Sequence, residues 1–346
     1  MKKSILAAIL CCFTLASALA QTNEKTSAVH VSFIPPLSTH GSQAAEYTNG
    51  VSFNILAGVS KNEKYFTFGG LANIIHNNAS GVQFAGLLNT IGNDANGFQF
   101  AGLFNRTGNT TRGIQFAGLY NLADNGYGFQ FGGLANTIKK EYSGIQFAGL
   151  FNSAKDFQGF QFAGLVNIAK NVKGVQFAGL VNIAENSDYP IGLINIIKNG
   201  EMSVGVTYDE TGSVIASFRS GGRVLYGILG VGYNHKSNHK HYVAEGGFGA
   251  HIPVVNRFRI NAELKSQFMN MSSSDEFLNK SSFSILPAFK FTPNLEIFAG
   301  PSINYMNTDD VSNKNMFPGG DIWTKFKDDR LQQLHIGYTA GIQWIF

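Results

Sequence analysis

The sequence predicts an all-β protein in two parts: a β-repeat array, β-solenoid-like in character, followed by an antiparallel barrel of about eight strands. Three observations carry this expectation. Of 346 residues, 40 are Gly and 30 are Phe while only 14% are charged, which leaves little of the Glu, Lys and Ala that build helices. A Gly-Leu pair recurs nine times from Gly70-Leu71 to Gly192-Leu193, at steps of 15 or 16 residues until a last step of 13. Beyond residue 200 the repeats give way to longer segments in which apolar and polar residues alternate.

The chain opens on MKKSILAAILCCFTLASALA, which reads as a cleaved secretory signal over residues 1–20. Lys2 and Lys3 precede an apolar run, and Ala18-Leu19-Ala20 supplies the small-residue cleavage pattern. Both cysteines, Cys11 and Cys12, lie inside it, so no disulfide or thiolate metal site is expected in the mature chain. Two of the charges in the net +4 belong to Lys2 and Lys3, and the rest form no basic stripe; nucleic acid is not an expected partner. After the signal no apolar run reaches the roughly 18 residues of a spanning helix, so any membrane insertion would use strands.

Residues 21–49 form an entry segment and residues 50–200 the array. Within a unit such as GFQFAGLFN, starting at Gly97, apolar and small or polar residues alternate with the period of a strand, and short polar turns such as GNDAN and KNVK separate the units. An Asn follows each Leu by two places, among them Asn89, Asn105, Asn121, Asn136, Asn152, Asn167 and Asn182. If units stack in parallel as coils, like falls on like. Phe84, Phe100 and Phe116 then form an internal apolar ladder and the Asn column a hydrogen-bonded one. The alternative is one continuous outer-membrane barrel of about 16–18 strands, in which Phe160 and Phe162 face lipid while Gln161 and Ala163 face a lumen.

Residues 201–346 hold eight candidate strands, the size of a small membrane barrel. In the clearest, Phe258, Ile260, Ala262, Leu264 and Phe268 share one face, and Arg259, Asn261, Glu263, Lys265 and Gln267 share the other. The final segment, HIGYTAGIQWIF, sets Tyr338, Ile342, Trp344 and Phe346 on a single apolar face. It resembles the terminal strand of Gram-negative outer-membrane barrels, where an aromatic last residue is read by the insertion machinery.

The copies of GFQFAGLVNIAKN, the entry segments VHVSFIPPLSTHG and YTNGVSFNILAG, and the exit PIGLINIIKNGEMSVGV resemble a family of exported bacterial surface-repeat proteins of Gram-negative envelopes, from Val29 to Phe346. The resemblance implies an envelope location and brings no activity with it.

Chemistry-bearing clusters are sparse. His235, His239 and His241 fall in a turn-like stretch without a carboxylate, and the pairs Asp309-Asp310 and Asp328-Asp329 fall in hydrated loops. The glycines of SGGRVLYGILGVG lack the strand-loop-helix setting of a phosphate cradle. No nucleophile motif singles out a Ser, so no catalytic residue, cofactor or metal is expected. The expected protein is a non-enzymatic, exported outer-membrane protein. Its barrel sits in lipid, and its array presents an Asn- and Gln-lined surface at the cell surface for structural or adhesive contact with a glycan or protein. Phe104, Tyr120 and Phe151 would add an exposed aromatic ladder for a glycan or partner if they point outward, but core packing or lipid contact is the expected use of that position. A porin-like channel is the alternative, an envelope hydrolase the third reading.

Overall fold

A computed structural model describes residues 24–236, 241–271, 277–309, 321–327 and 330–346. The signal, His239, Asp310 and the pair Asp328-Asp329 lie outside them. The chain divides into two compact units at Ala101/Gly102.

In the first unit, Lys25–Ile34, Tyr47–Asn54, Asn62–Gly69, Ala79–Ala85 and Ala95–Ala101 pair in parallel as successive rungs. A second parallel row is formed by Ala57–Ser60, Ala72–Ile75 and Leu88–Ile91. Each coil is therefore one longer and one shorter strand joined at the Gly-Leu bend. The stacking reaches back to Lys25, within the segment read as an entry.

The second unit repeats this parallel stacking, with three of its coils running as single strands, Ala135–Ala148, Phe151–Ala163 and Val166–Ala178, from one Gly-Leu bend to the next. Asn121, Asn136, Asn152, Asn167, Asn182 and Asn195 pair residue for residue, as do Gln115, Gln130, Gln146, Gln161 and Gln176. Parallel register makes the array a solenoid and excludes the continuous barrel, whose neighbours would have to run antiparallel. The leading glycine of each unit is required where the coils touch. Gly144 has φ +141°, and a Cβ there would sit 1.9 Å from the carbonyl oxygen of Gly128 on the preceding coil.

The Phe column corrects the expectation. Phe84 and Phe116 are exposed and Phe100 half-exposed, so the ladder exists, with Phe84 and Phe100 stacked at 4.9 Å, but it runs along the outside. Inside lie the Gln column, the following Ala, the Asn column and the apolar position two places after Asn, as at Ile75, Ile91 and Ile138. The Asn and Gln columns consequently offer no contact surface. Phe104 and Phe151 do point outward.

Eight strands make the barrel: Glu201–Asp209, Ser213–Gly221, Leu225–Asn234, His241–Val255, Phe258–Met271, Phe277–Lys290, Leu295–Thr308 and Arg330–Ile345. Neighbours pair antiparallel in that order, and the first closes on the last from Ser203↔Ile345 to Asp209↔Thr339. A short strand not expected from the sequence, Asp321–Lys327, adds to the start of the last strand, beyond the point where Glu201–Asp209 ends. Connections 222–224, 256–257 and 291–294 mark one end of the barrel; at the other, where 210–212 turns, the described strands end at Asn234, Met271 and Thr308 and resume at His241, Phe277 and Asp321.

The last coil joins the barrel on its outer wall. Arg219 and Tyr226 point into the lumen, so their neighbours Ser220 and Gly227 face out. Asn195 donates from its backbone N–H to Ser220 Oγ (2.9 Å) and from Nδ2 to the Ser220 carbonyl (3.0 Å). Gly227 lies so close to the coil that a Cβ would meet the Gly192 carbonyl at 2.1 Å.

Candidate functional site

Alternation along each barrel strand sends charge inward, where it meets partners brought from distant strands. In the middle, Arg219 Nε lies 2.9 Å from Glu263 Oε1, Tyr226 Oη donates to the same oxygen (3.0 Å), and Lys265 Nζ stands 3.2 Å from Glu263 Oε2. Glu245 accepts from Ser217 (3.2 Å) and Gln267 (2.9 Å). Near the short-turn end, Arg259 bridges Glu201 and Glu296, Lys290 pairs with Glu201 at 2.8 Å, and His251 Nδ1 meets Asn261 at 2.8 Å. At the other end Lys280 reaches Asp209 (2.7 Å) and Glu210 (3.3 Å), with Asn304 donating to Glu210 at 3.1 Å. These side chains fill the lumen, and each charge is met by an opposite one, as burial demands.

The same alternation sends apolar side chains outward on every barrel strand. Val206, Val214, Val231, Ile252, Leu264, Ile285, Ile303 and Ile336 are all exposed. On the terminal strand Tyr338, Ile342, Trp344 and Phe346 lie on this outer face, while His335, Thr339 and Gln343 are buried. The separation of faces read in the strand Phe258–Met271 is found as expected, with Arg259, Glu263 and Lys265 inside and Leu264 and Phe268 outside. The glycine-rich stretch forms the turn 222–224 and most of the strand Leu225–Asn234.

The array holds a second polar system, built of amides. The two hydrogens on each Asn Nδ2 serve different partners. Asn136 donates to Asn152 Oδ1 at 2.9 Å on the next coil and to the Phe147 carbonyl at 2.6 Å; Asn121, Asn152 and Asn167 repeat the pattern. Gln130, Gln146, Gln161 and Gln176 donate the other way, each to the preceding coil, at 2.6–3.0 Å. Buried amides thus find in their own copies the partners that water would otherwise supply.

Titratable groups of the first unit feel this burial. Burial, with a smaller effect from His40, pulls the His30 ring down to about 4. Burial pushes the Glu63 carboxyl up against hydrogen bonds from Ser52 and Asn49.

Several concavities occur in the second unit. One, of about 630 Å³, is lined by Tyr127, Glu141, Tyr142, Asp156, Phe157 and Lys173 along the edge of the coils opposite the Gly-Leu bend. Another, of about 180 Å³, lies at the short-turn end of the barrel between Arg223, Arg257, Arg259 and Lys290. A third, of about 440 Å³, is apolar and is lined by Phe258, Phe289, Ile297 and Phe298. Among the described residues no group of three or more His, Cys, Asp or Glu is placed to hold a metal ion. His235 packs near Tyr208, with ring centroids 5.8 Å apart. The lumen pairs are not legible in the sequence, because their partners lie tens of residues away, as Glu263 lies 44 residues from Arg219.

No protein family matches the sequence, and no curated protein matches it. A solved chain described as "De novo design of transmembrane beta-barrels" is similar at 15% identity, over 42% of this chain and 93% of that one, with a TM-score of 0.24. A likeness of that size carries no weight for fold or function.

Proposed function

We propose that the protein is a non-enzymatic outer-membrane protein in which the barrel is the lipid anchor and the array a rigid structural element. The observation that carries this is the eight-strand ring with apolar side chains outside and paired charges inside, the reverse of a water-soluble barrel. Export, recognition of the terminal strand by the insertion machinery, and a Gram-negative envelope complete the reading. Because the last coil joins at the end with short connections, which in such barrels faces the periplasm, the coils of the second unit lie on that side. Its polar turn edge, with the cleft beside Tyr127, Asp156 and Lys173, is the surface for adhesive contact with an envelope glycan or protein.

Fractionation tests the reading. The mature chain should sediment with outer membranes and migrate differently on a gel before and after heating. Recovery in the soluble periplasm with no heat-dependent shift would overturn it. A filled eight-strand lumen also predicts no stable conductance steps in planar bilayers at good incorporation, whereas a channel would show them.

A further inference from the structure

We infer that the Gly-Leu edge of the coils between Ile114 and Ile197 is immersed in a lipid leaflet, beside the apolar wall of the barrel, while the opposite edge stays in water. The inference rests on the reading of the barrel as membrane-embedded, and three observations carry it beyond that reading.

The first is how charge is distributed around a coil. Between Ile114 and Ile197 every Asp, Glu, Lys and Arg falls on the edge opposite the Gly-Leu bend, as at Asp124, Lys140, Lys155, Lys170, Lys173 and Glu185. The bend edge bears Leu134, Leu150, Leu165 and Leu180, each 41–47% exposed, flanked by the outward Phe and Ile columns. This is the two-faced division of an interfacial amphipathic element, built from a stack of strands instead of a helix.

The second is polar satisfaction. Sheet pairing between coils uses the backbone, and the Asn and Gln ladders use the side-chain amides internally. An element that brings unpaired polar groups into hydrocarbon loses several kcal/mol for each. This edge brings leucines and phenylalanines.

The third is height along the barrel. Ser187 and Asp188, in the turn edge of the last coil, meet Gly222, Arg223 and Leu225 at the barrel's short turn. Gly192 and Leu193, in its bend edge, meet Gly227 further up the strand. The bend edge therefore points toward the lipid-facing residues Leu229 and Val231, and the turn edge toward the end where Arg223, Arg257 and Lys290 gather. Because this coil sits on outward-facing wall residues, the next coils stack sideways from the barrel, along the leaflet.

The test uses the full chain, with Cys11 and Cys12 replaced by Ser, in vesicles of phosphatidylethanolamine and phosphatidylglycerol. Single cysteines at Leu165→Cys, Lys173→Cys and Ile342→Cys carry a fluorophore, and doxyl-labelled lipid or aqueous iodide serves as quencher. The expected result is that doxyl lipid removes about half the emission at both Leu165 and Ile342 while leaving Lys173 to iodide, as positions in hydrocarbon and in water should behave. Doxyl quenching at Ile342 with iodide quenching at Leu165 overturns the inference and leaves the barrel reading intact. Protection of Leu165 from both quenchers means a second copy or another protein covers the edge, and also overturns it. Equal doxyl quenching at Lys173 overturns the two-edged arrangement. No doxyl quenching at Ile342 removes the barrel reading itself.

Discussion

At Asn136 three hydrogen bonds converge: one accepted from Asn121, two donated to Asn152 and the Phe147 carbonyl. Asn136→Ala strands a donor and two acceptors, and should lower stability by roughly 3 kcal/mol, read as a drop in urea midpoint. Gly144→Ala should be worse, because its Cβ would collide with the Gly128 backbone, whereas Gly246→Ala has open space and should fold normally by heat-modifiable mobility. In the first unit, His30 holds a proton less readily folded than unfolded. Its contribution is therefore full above about 6.5 and lost as pH falls toward about 4, so His30→Gln should flatten acid destabilisation over that window. The Asn and Gly columns are legible in the sequence because they recur; the direction each column faces is not. Hydrophobicity alone puts Phe inside. Stacking reverses this, since an inward amide finds its partner on the next identical coil and the burial penalty vanishes.

Strands, as elements, were easier to read than their pairing. Alternation from Phe258 to Phe268 and from Ile336 to Phe346 exposes the two walls directly, because a period of two admits only one division of faces. Asp321–Lys327 is not legible in the sequence: its alternation is weak, and what makes it a strand is the open edge of the terminal strand beyond its pairing with Asp209. Nor could sequence spacing foresee that Arg219, Glu263 and Lys265 share one charge cluster, since closure of the ring brings them together. Within that cluster, Glu263→Ala leaves two buried cations with reduced compensation and should cost about 3–5 kcal/mol in denaturant unfolding. The double replacement Arg219→Leu with Glu263→Leu should cost less than the single one, because it removes both sides of the pair.

Viewed as a whole, the chain divides its polar groups in the same way in array and barrel: hydrogen-bonded and ionic groups turn inward, and apolar side chains turn outward around the barrel wall and along the coil bends. On the array this leaves only the turns for water, so replacing Leu150, Leu165 and Leu180 by Ser should release the array edge to proteases while the barrel keeps its heat-dependent mobility. The two amide ladders have a further consequence. Asn side chains donate toward the barrel and Gln side chains donate away from it, at one rung per coil. Their dipoles oppose each other, so the two ladders largely cancel where aligned amides would build a field growing with length, as peptide units do in a helix. A stack so compensated can gain or lose a coil without charging its ends, which makes its length a freely adjustable quantity.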